Sequence, residues 1–261
     1  MKYIAPRKSL GQNFLADNNM AMKIVRSADI QPDDFLIEIG PGTGLLTDHI
    51  VNQANNITLV EVDNRAIALL EAKFFESEKN INIVKQDFRK FNVEEEFIKA
   101  GKKLSVIGNI PYYITGDIFF KLFENAQFVQ SAIITCQKEV AQRMVSKVNT
   151  KDYGILAIAA QYCGKPEYLY DIPAQCFIPK PNVTSSVIKL TFKDDFNYPE
   201  YKKLMKVVKK AFNQRRKMIT NTVKDLLIED FDETIWDKYK SKRPENLTIP
   251  EFLELISICR D

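Results

Sequence analysis

The chain has 261 residues and a net charge of only +3 at pH 7, so its overall charge does not by itself indicate a nucleic-acid partner. An apolar fraction of 45% suits a globular protein with its own core, and no apolar run approaches the roughly 18 residues that span a bilayer. The N-terminus shows no signal peptide, so we expect a soluble, cytoplasmic protein without a membrane partner.

The cysteine and histidine content argues against two kinds of chemistry. Cys136, Cys163, Cys176 and Cys259 stand too far apart for metal-ligand spacing, so we expect no metal site and no disulfide framework. The only histidine, His49, has no Ser or Cys motif nearby. This argues against a Ser–His or Cys–His hydrolase.

Short runs rich in Ile, Leu and Val alternate with helical patterns in the first part of the chain. The predicted strands are Phe35–Ile39, Ile57–Val62, Ile81–Lys85, Leu104–Gly108 and Ser131–Thr135. The predicted helices between them are Leu45–Gln53, Arg65–Phe75, Gly116–Phe123 and Glu139–Lys147. This alternation predicts an α/β fold, a parallel sheet with helices on both faces, whose strand ends line one edge.

The pattern changes in the second part of the chain. A helix is predicted at Tyr153–Tyr162, and the strands Tyr168–Ile172 and Ser186–Phe192 finish the sheet in an antiparallel manner. A linker at 194–199 precedes an apolar stripe at helical spacing that begins at Tyr201. We therefore predict a first domain at 1–196 and a small helical domain at 197–261.

A glycine-rich turn, Glu38–Gly44, follows the first strong strand and opens a helix. Its glycines allow a tight turn and the close approach of a ligand to the backbone. Glu61 and Asp63 end the next strand, where an acid can accept both hydroxyls of a ribose. Asp87 ends the third strand, where it can meet the amino group of an adenine.

Two nucleotide ligands compete for this turn. A dinucleotide prefers the spacing Gly-x-Gly-x-x-Gly, whereas Gly40, Gly42 and Gly44 give Gly-x-Gly-x-Gly. Glu38, just before the turn, would repel a pyrophosphate and suits the cationic amino group of S-adenosylmethionine, which we expect as the cofactor. A purely local capping or pairing role for Glu38 stays open.

The tetrapeptide Asn109–Tyr112 follows a predicted strand and has the groups that grip a flat, amino-bearing ring. The Asn109 side chain and a backbone carbonyl can each accept a hydrogen bond from one NH₂ group, and the Tyr112 ring can stack on the base. A flipped-out adenine is such a ligand. The alternative is a strand that ends in an ordinary Pro turn.

The chain resembles the ribosomal RNA adenine dimethyltransferase family along nearly its whole length. The matching segments are Lys8–Leu15, Glu38–Gly44, Glu61–Asp63, Gln86–Asp87, Asn109–Ile114, Gln137–Arg143, Phe177–Ser185 and Phe212–Lys217. The departures are mild: Ile110 stands where Leu is commoner and Asn213 where Gly is common. Neither removes a functional group.

The resemblance implies a Rossmann-like, S-adenosylmethionine-dependent methyltransferase domain and assigns roles by position. The implied cofactor contacts are Asn13, Leu15, Gly40, Glu61, Asp87 and Asn109, to which the turn itself adds Glu38 and Gly42. The implied adenine-binding residues are Asn109, Ile110, Pro111 and Tyr112, with Phe177 on the other side of the base.

A basic block lies in the predicted helical domain, and no acidic residue lies between its members in the sequence. It consists of Lys202, Lys203, Lys206, Lys209, Lys210, Arg215, Arg216 and Lys217. We expect all but the first two to bind RNA phosphates. The alternative is a solvated face, or arginines that pair with Asp225 and Glu229 inside the domain.

The resemblance also implies an activity. The family dimethylates the 6-amino groups of two adjacent adenosines in the 3′-terminal hairpin loop of 16S rRNA in the small subunit, during ribosome biogenesis. We expect a monomer whose partner is this RNA. Two alternatives stay open: a large-subunit rRNA adenine methyltransferase of the macrolide-resistance type, and a non-catalytic RNA-binding assembly factor.

Overall fold

The computed structural model describes residues 4–260, which form two compact units. The first unit runs to residue 141 and resumes at 166–194, whereas the second combines 142–165 with the chain from 195 onwards. The sequence predicts a helical domain from 197, so the second unit takes in an additional segment. The reason lies in the helix Ile155–Cys163, which is apolar on nearly all sides and therefore needs a buried environment.

The strands carry the architecture of the first unit. They are β1 (Phe14–Leu15), β2 (Phe35–Ile39), β3 (Asn56–Glu61), β4 (Asn80–Lys85), β5 (Leu104–Asn109), β6 (Val129–Gln137), β7 (Gly164–Ile172), β8 (Phe177–Ile178) and β9 (Ser185–Phe192). Within the described residues the main sheet has seven strands in the order β4-β3-β2-β5-β6-β9-β7. β2 to β6 run parallel and β9 pairs antiparallel with β6, while β1 and β8 form a separate antiparallel pair.

Helices follow the parallel strands in alternation. They are α1 (Asn18–Ser27), α2 (Leu45–Ile50), α3 (Asn64–Phe74), α4 (Val93–Ala100), α5 (Thr115–Glu124) and α6 (Lys138–Met144). The predicted α/β fold is confirmed, and the ends of the five parallel strands differ from the prediction by at most two residues. The central strands are buried along almost their whole length, as strands covered on both faces should be.

The helices α1 and α4 were not predicted from the sequence, although both have local signals for a helix start. The Asp17 side chain accepts a hydrogen bond from the Met20 backbone and begins α1. Asn92 caps α4 in the same way, with Glu94–Glu96 in the first turn and Gly101 at the end. Side-chain oxygens at these positions satisfy amides that have no partner inside the helix.

The second unit is helical, with α7 (Ile155–Cys163), α8 (Tyr198–Phe212), α9 (Glu233–Tyr239) and α10 (Ile249–Ser257). The rings of Tyr162 and Tyr201 stack at 5.9 Å, and the Tyr162 hydroxyl donates to Glu200 at 2.6 Å. These contacts hold α7 against α8. Among residues 4–260, no helix combines the length and apolar character that a membrane span requires.

Candidate active site

The carboxyl ends of β2, β3 and β5 and the loop after β4 open into one cleft of the first unit, with an empty volume of about 1010 Å³ including its open mouth. Every residue predicted to bind the cofactor lines this cleft: Asn13, Leu15, Glu38, Gly40, Gly42, Glu61, Asp87 and Asn109. Parallel strands place their carboxyl ends along one edge, which explains why residues so distant in sequence meet here.

Gly40 shapes the floor of the cleft. Its φ of +64° lies in the left-handed region, which side chains rarely adopt. A Cβ added at Gly40 would meet no atom within 4 Å, although the residue lines the cleft. The absent side chain therefore leaves space that a ligand can use against the backbone.

Glu61 is held rigidly at the end of β3. One carboxylate oxygen accepts from the Gly42 amide at 3.1 Å, and the other accepts from the amides of Val62 and Asp63 at 2.7 and 2.9 Å. Burial raises the pKa of Glu61, while these backbone donors favour its ionised form. An ionised carboxyl has about four acceptor positions, and the three amides occupy three of them, so one position on Oε2 remains for a ribose hydroxyl.

Glu38 is the second buried acid of the cleft. One carboxyl oxygen accepts from the Thr47 hydroxyl at 2.6 Å, whereas its Oε1 atom has no hydrogen-bond partner in the described part of the chain. Burial raises the pKa of Glu38 to about 8. An unpaired buried oxygen costs free energy, which a cationic amino group would recover. The arrangement fits the cationic amino group of S-adenosylmethionine.

Asp87 lies in the cleft but is already paired. Its carboxylate accepts from the Arg89 backbone at 2.9 Å and from the Arg89 guanidinium at 2.6 Å. The guanidinium lowers the pKa of Asp87, and it also contacts Asp117 at 3.2 Å. Arg89 lines the cleft too and was not predicted from the sequence, although its position two residues after the acid is a signal for such a pair.

The Asn109 amide has a defined orientation. Its Nδ2 atom donates to the backbone carbonyl of Asn13 at 3.1 Å. A carbonyl oxygen can only accept, so the amide must turn its NH₂ group to Asn13 and leave its own oxygen for another donor. Asn109 and the following Ile110, Pro111 and Tyr112 all line the cleft, as the sequence predicts.

The structure does not bring Phe177 to the cleft. Its ring is only 1% exposed and belongs to the core, where it pairs with Leu15 across β1 and β8. The position of Phe177 opposite the base stays a prediction. Five aromatic or amide residues that were not predicted as site residues line the cleft: Gln12, Phe14, Gln86, Phe88 and Tyr113.

The basic block of the second unit is partly neutralised. Arg215 contacts Glu245 at 3.2 Å and donates to the Thr150 carbonyl at 2.9 Å, and Lys210 pairs with Asp225. Arg216 and Lys217 are exposed and have no ion pair within the described residues. Arg215 thus has a structural role, and the partner of Arg215 is Glu245 and not either of the two acids considered from sequence.

Comparison with known proteins gives matches along the whole chain. A family model described as ribosomal RNA adenine dimethylase matches residues 5–261. A ribosomal RNA small subunit methyltransferase A from Malacoplasma penetrans (strain HF-2) is 37% identical, over 97% of this chain and 92% of its own. The protein with the same name from Alkaliphilus metalliredigens (strain QYMF) is 40% identical, over 95% of this chain and 90% of its own.

Solved structures agree on the fold. A dimethyladenosine transferase from Plasmodium falciparum has a TM-score of 0.78 at 23% identity, over 93% of this chain and 95% of its own. The 23S rRNA methyltransferase ErmE has a TM-score of 0.70 at 23% identity, over 95% of this chain and 99% of its own. At such identities these two structures establish the shared fold alone.

The fold and the donor set of the cleft define an S-adenosylmethionine-dependent methyltransferase. Its buried acids at the ends of β2 and β3 fit that cofactor, and its Asn109–Tyr112 segment has the groups that an adenine needs. The chain belongs to the ribosomal RNA adenine dimethylase family.

Proposed function

We propose that this protein dimethylates the 6-amino groups of two adjacent adenosines in the 3′-terminal hairpin loop of 16S rRNA, within the small ribosomal subunit. The support is the 36–40% identity to relatives named ribosomal RNA small subunit methyltransferase A, over most of both chains. The structural likeness to ErmE supports only the fold and gives no comparable argument for a 23S target. We further propose that it acts as a cytoplasmic monomer.

When bound, S-adenosylmethionine supplies an electrophilic methyl group on a positively charged sulfur. Glu61 would accept a ribose hydroxyl, and Glu38 would pair its unsatisfied Oε1 with the amino group. Gly40 gives the ligand access to the backbone, and Asp87 would accept from the adenine amino group while it stays paired with Arg89. Asn13, Leu15, Gly42 and Asn109 complete the walls of the cleft.

The orientation of the Asn109 amide is the observation that carries the catalytic assignment. Because its NH₂ group is bound to Asn13, its oxygen can accept a hydrogen from the target 6-amino group. The Ile110 carbonyl would accept the second hydrogen, which turns the nitrogen lone pair towards the methyl donor. Orientation of this kind contributes roughly 7–11 kcal/mol, and the two carbonyls favour the positive charge that develops on nitrogen.

No catalytic base is required in this scheme, because the amino group attacks as a neutral nucleophile and loses its proton afterwards to solvent. His49 is bound to Asn18 at 2.9 Å and does not line the cleft. The positioning of the base is therefore the main contribution of the protein.

Stacking would compensate for the cost of flipping the adenine. Removing a base from its stack costs a few kcal/mol, and each aromatic contact returns about 1–3 kcal/mol. Tyr112 would provide the ring. We propose that Phe177 supports the site from the core, because it pairs in register with Leu15, which lines the cleft.

RNA backbone binding is the role proposed for the second unit. The first candidates are Arg216 and Lys217, which are exposed and lie in the segment that matches the family. Lys206 and Lys209 are further candidates, because their side chains are exposed on α8. Phosphate contacts position a protein without reading sequence.

The test of target choice is methylation of small subunits from a strain that lacks this modification, in parallel with naked 23S rRNA, followed by mass mapping. We expect two adjacent dimethyladenosines near the 3′ end of 16S rRNA and no product on 23S rRNA. A product on 23S rRNA alone would support the macrolide-resistance type. Binding of small subunits without any methyl transfer would support a non-catalytic factor.

A further inference from the structure

Tyr113 stands out among the residues of the cleft because its aromatic ring is largely uncovered. The side chain is 63% exposed, although it lines the cleft next to Tyr112. Its hydroxyl makes no hydrogen bond within residues 4–260. A single exposed aromatic ring elsewhere on a surface indicates nothing in particular. A ring that lines a cleft offers its planar face to a ligand that enters there.

Gly11 determines where this ring lies. A Cβ added to Gly11 would come within 2.8 Å of Cδ1 and 2.9 Å of Cε1 of Tyr113, closer than any side chain tolerates. Gly11 also has a φ of +57°, which glycine adopts without strain. The ring therefore rests against the bare backbone of the N-terminal loop, and this contact orders one side of it while most of it stays open.

Two consecutive aromatic residues thus occupy the short turn Tyr112–Ile114 that follows β5. The Tyr112 ring is anchored by its hydroxyl, which lies 2.5 Å from the Ser185 Oγ atom, whereas the Tyr113 ring is anchored on Gly11. Successive side chains of such a turn point in directions about a third of a turn apart. The two rings consequently serve different positions and do not share one ligand face.

We propose that Tyr113 is a second base-stacking surface, which binds the unpaired nucleotide next to the target adenosine. The inference rests on the proposed RNA substrate and adds a residue that determines how that RNA is held. Stacking on an aromatic face suits any unpaired base, since every base has a π face. Tyr113 then contributes to capture of the RNA and not to binding of S-adenosylmethionine.

The test is a series of substitutions at Tyr113, assayed by methylation of small subunits from a strain that lacks the modification. Tyr113→Phe and Tyr113→Trp should keep kcat/KM for the particle, whereas Tyr113→Ala and Tyr113→Leu should lower it by about fivefold to 150-fold, the range of one lost stacking contact. The affinity for S-adenosylmethionine, measured by calorimetry, should not change. Phe75→Ala is the matched control, because Phe75 is 86% exposed and lies outside the cleft.

Tyr113→Leu distinguishes two roles of the side chain, because leucine can cover the Gly11 backbone but cannot stack on a base. If the ring only covers the backbone, Tyr113→Leu should be as active as the wild type, and the inference is wrong. A short RNA hairpin with 2-aminopurine after the target adenosine gives a second readout. The wild type should quench its fluorescence more than Tyr113→Leu does, and equal quenching would also overturn the inference.

The methylation assay distinguishes a wrong substrate from a wrong role of Tyr113. If the wild-type protein leaves the particles unmethylated, the proposed function is wrong, and so is the inference that depends on it. If the wild type methylates them and all Tyr113 variants match it, only the stacking role is wrong.

Discussion

The hydroxyl of Tyr112 lies 2.5 Å from the Oγ atom of Ser185, a fully buried residue that begins β9 and pairs with Gln137 of β6. The ring proposed to stack on the target base is therefore fixed to the antiparallel edge of the sheet. Stacking alone needs only the ring, whereas a ring in one fixed orientation also needs this hydrogen bond.

The first prediction concerns this anchor. Ser185→Ala and Tyr112→Phe should each lower turnover by about threefold to tenfold, the effect of a single net hydrogen bond, and the double variant should lose little more. Tyr112→Ala should lose far more, since the stacking face is gone as well. The methylation rates of the wild type, Ser185→Ala, Tyr112→Phe and the double variant form a double-mutant cycle. Full additivity of the two single effects would show that the hydrogen bond does not matter.

Glu38 should make folding dependent on pH. Its folded pKa of about 8 is above its ordinary value of 4.5, so the folded state binds more protons between these values and stability falls as the pH rises through this window. Glu38→Gln removes that loss and should be more stable than the wild type at pH 8, by on the order of 1–3 kcal/mol. Denaturant unfolding at pH 5 and pH 8 measures the difference, and an equal gap at both pH values would contradict it.

The same carboxyl should couple cofactor binding to proton release. A cationic amino group beside Glu38 favours the ionised form, so S-adenosylmethionine should displace about one proton at pH 7. Calorimetry in two buffers of different ionisation enthalpy measures the number of protons released on binding. Glu38→Gln should abolish the release and weaken binding, whereas a wild type that binds with no proton release would remove Glu38 from the amino-group site.

A further prediction concerns Glu61 as a ligand of the cofactor ribose. Glu61→Ala should weaken S-adenosylmethionine binding by roughly 1.5–3 kcal/mol, the scale of a hydrogen bond to a charged group. Glu61→Gln is the conservative comparison, because it keeps the shape but loses an acceptor. The variants must first be shown to fold, since Glu61 also accepts from Gly42 and Asp63. Unchanged affinity in a folded Glu61→Ala protein would exclude the assignment.

The exposed and the paired arginines should behave differently. Arg216→Gln with Lys217→Gln should weaken binding to small subunits and flatten its salt dependence, because fewer counterions are released. Arg215→Gln should instead lower stability, since the Glu245 carboxylate loses its ion-pair partner and the Thr150 carbonyl keeps only the Tyr153 amide as a donor. Lys85→Gln with Lys102→Gln removes the same charge from the first unit as a control. An unchanged salt slope in the Arg216 and Lys217 variant would favour a merely solvated face.

Sequence predicts the parts of this protein that local chemistry determines. The apolar runs identify β2 to β6, and the turn and strand-end acids identify Glu38 and Glu61, because strand order then brings them to one edge. Three contacts of the cleft depend instead on how the segments pack. They are the ion pair of Asp87 with Arg89, the hydrogen bond between Tyr112 and Ser185, and the contact of the Tyr113 ring with Gly11. The position of Phe177 in the core follows from its pairing with Leu15, a contact that no local pattern records.

The most direct test of the central claim compares wild type with Asn109→Ala on small subunits that lack the modification. Single-turnover methyl transfer and particle affinity are measured for both proteins. Because Asn109 positions the amino group, we predict a loss of at least about a hundredfold in the rate, with particle affinity within about twofold of the wild type. A variant that transfers methyl groups at the wild-type rate would contradict the account.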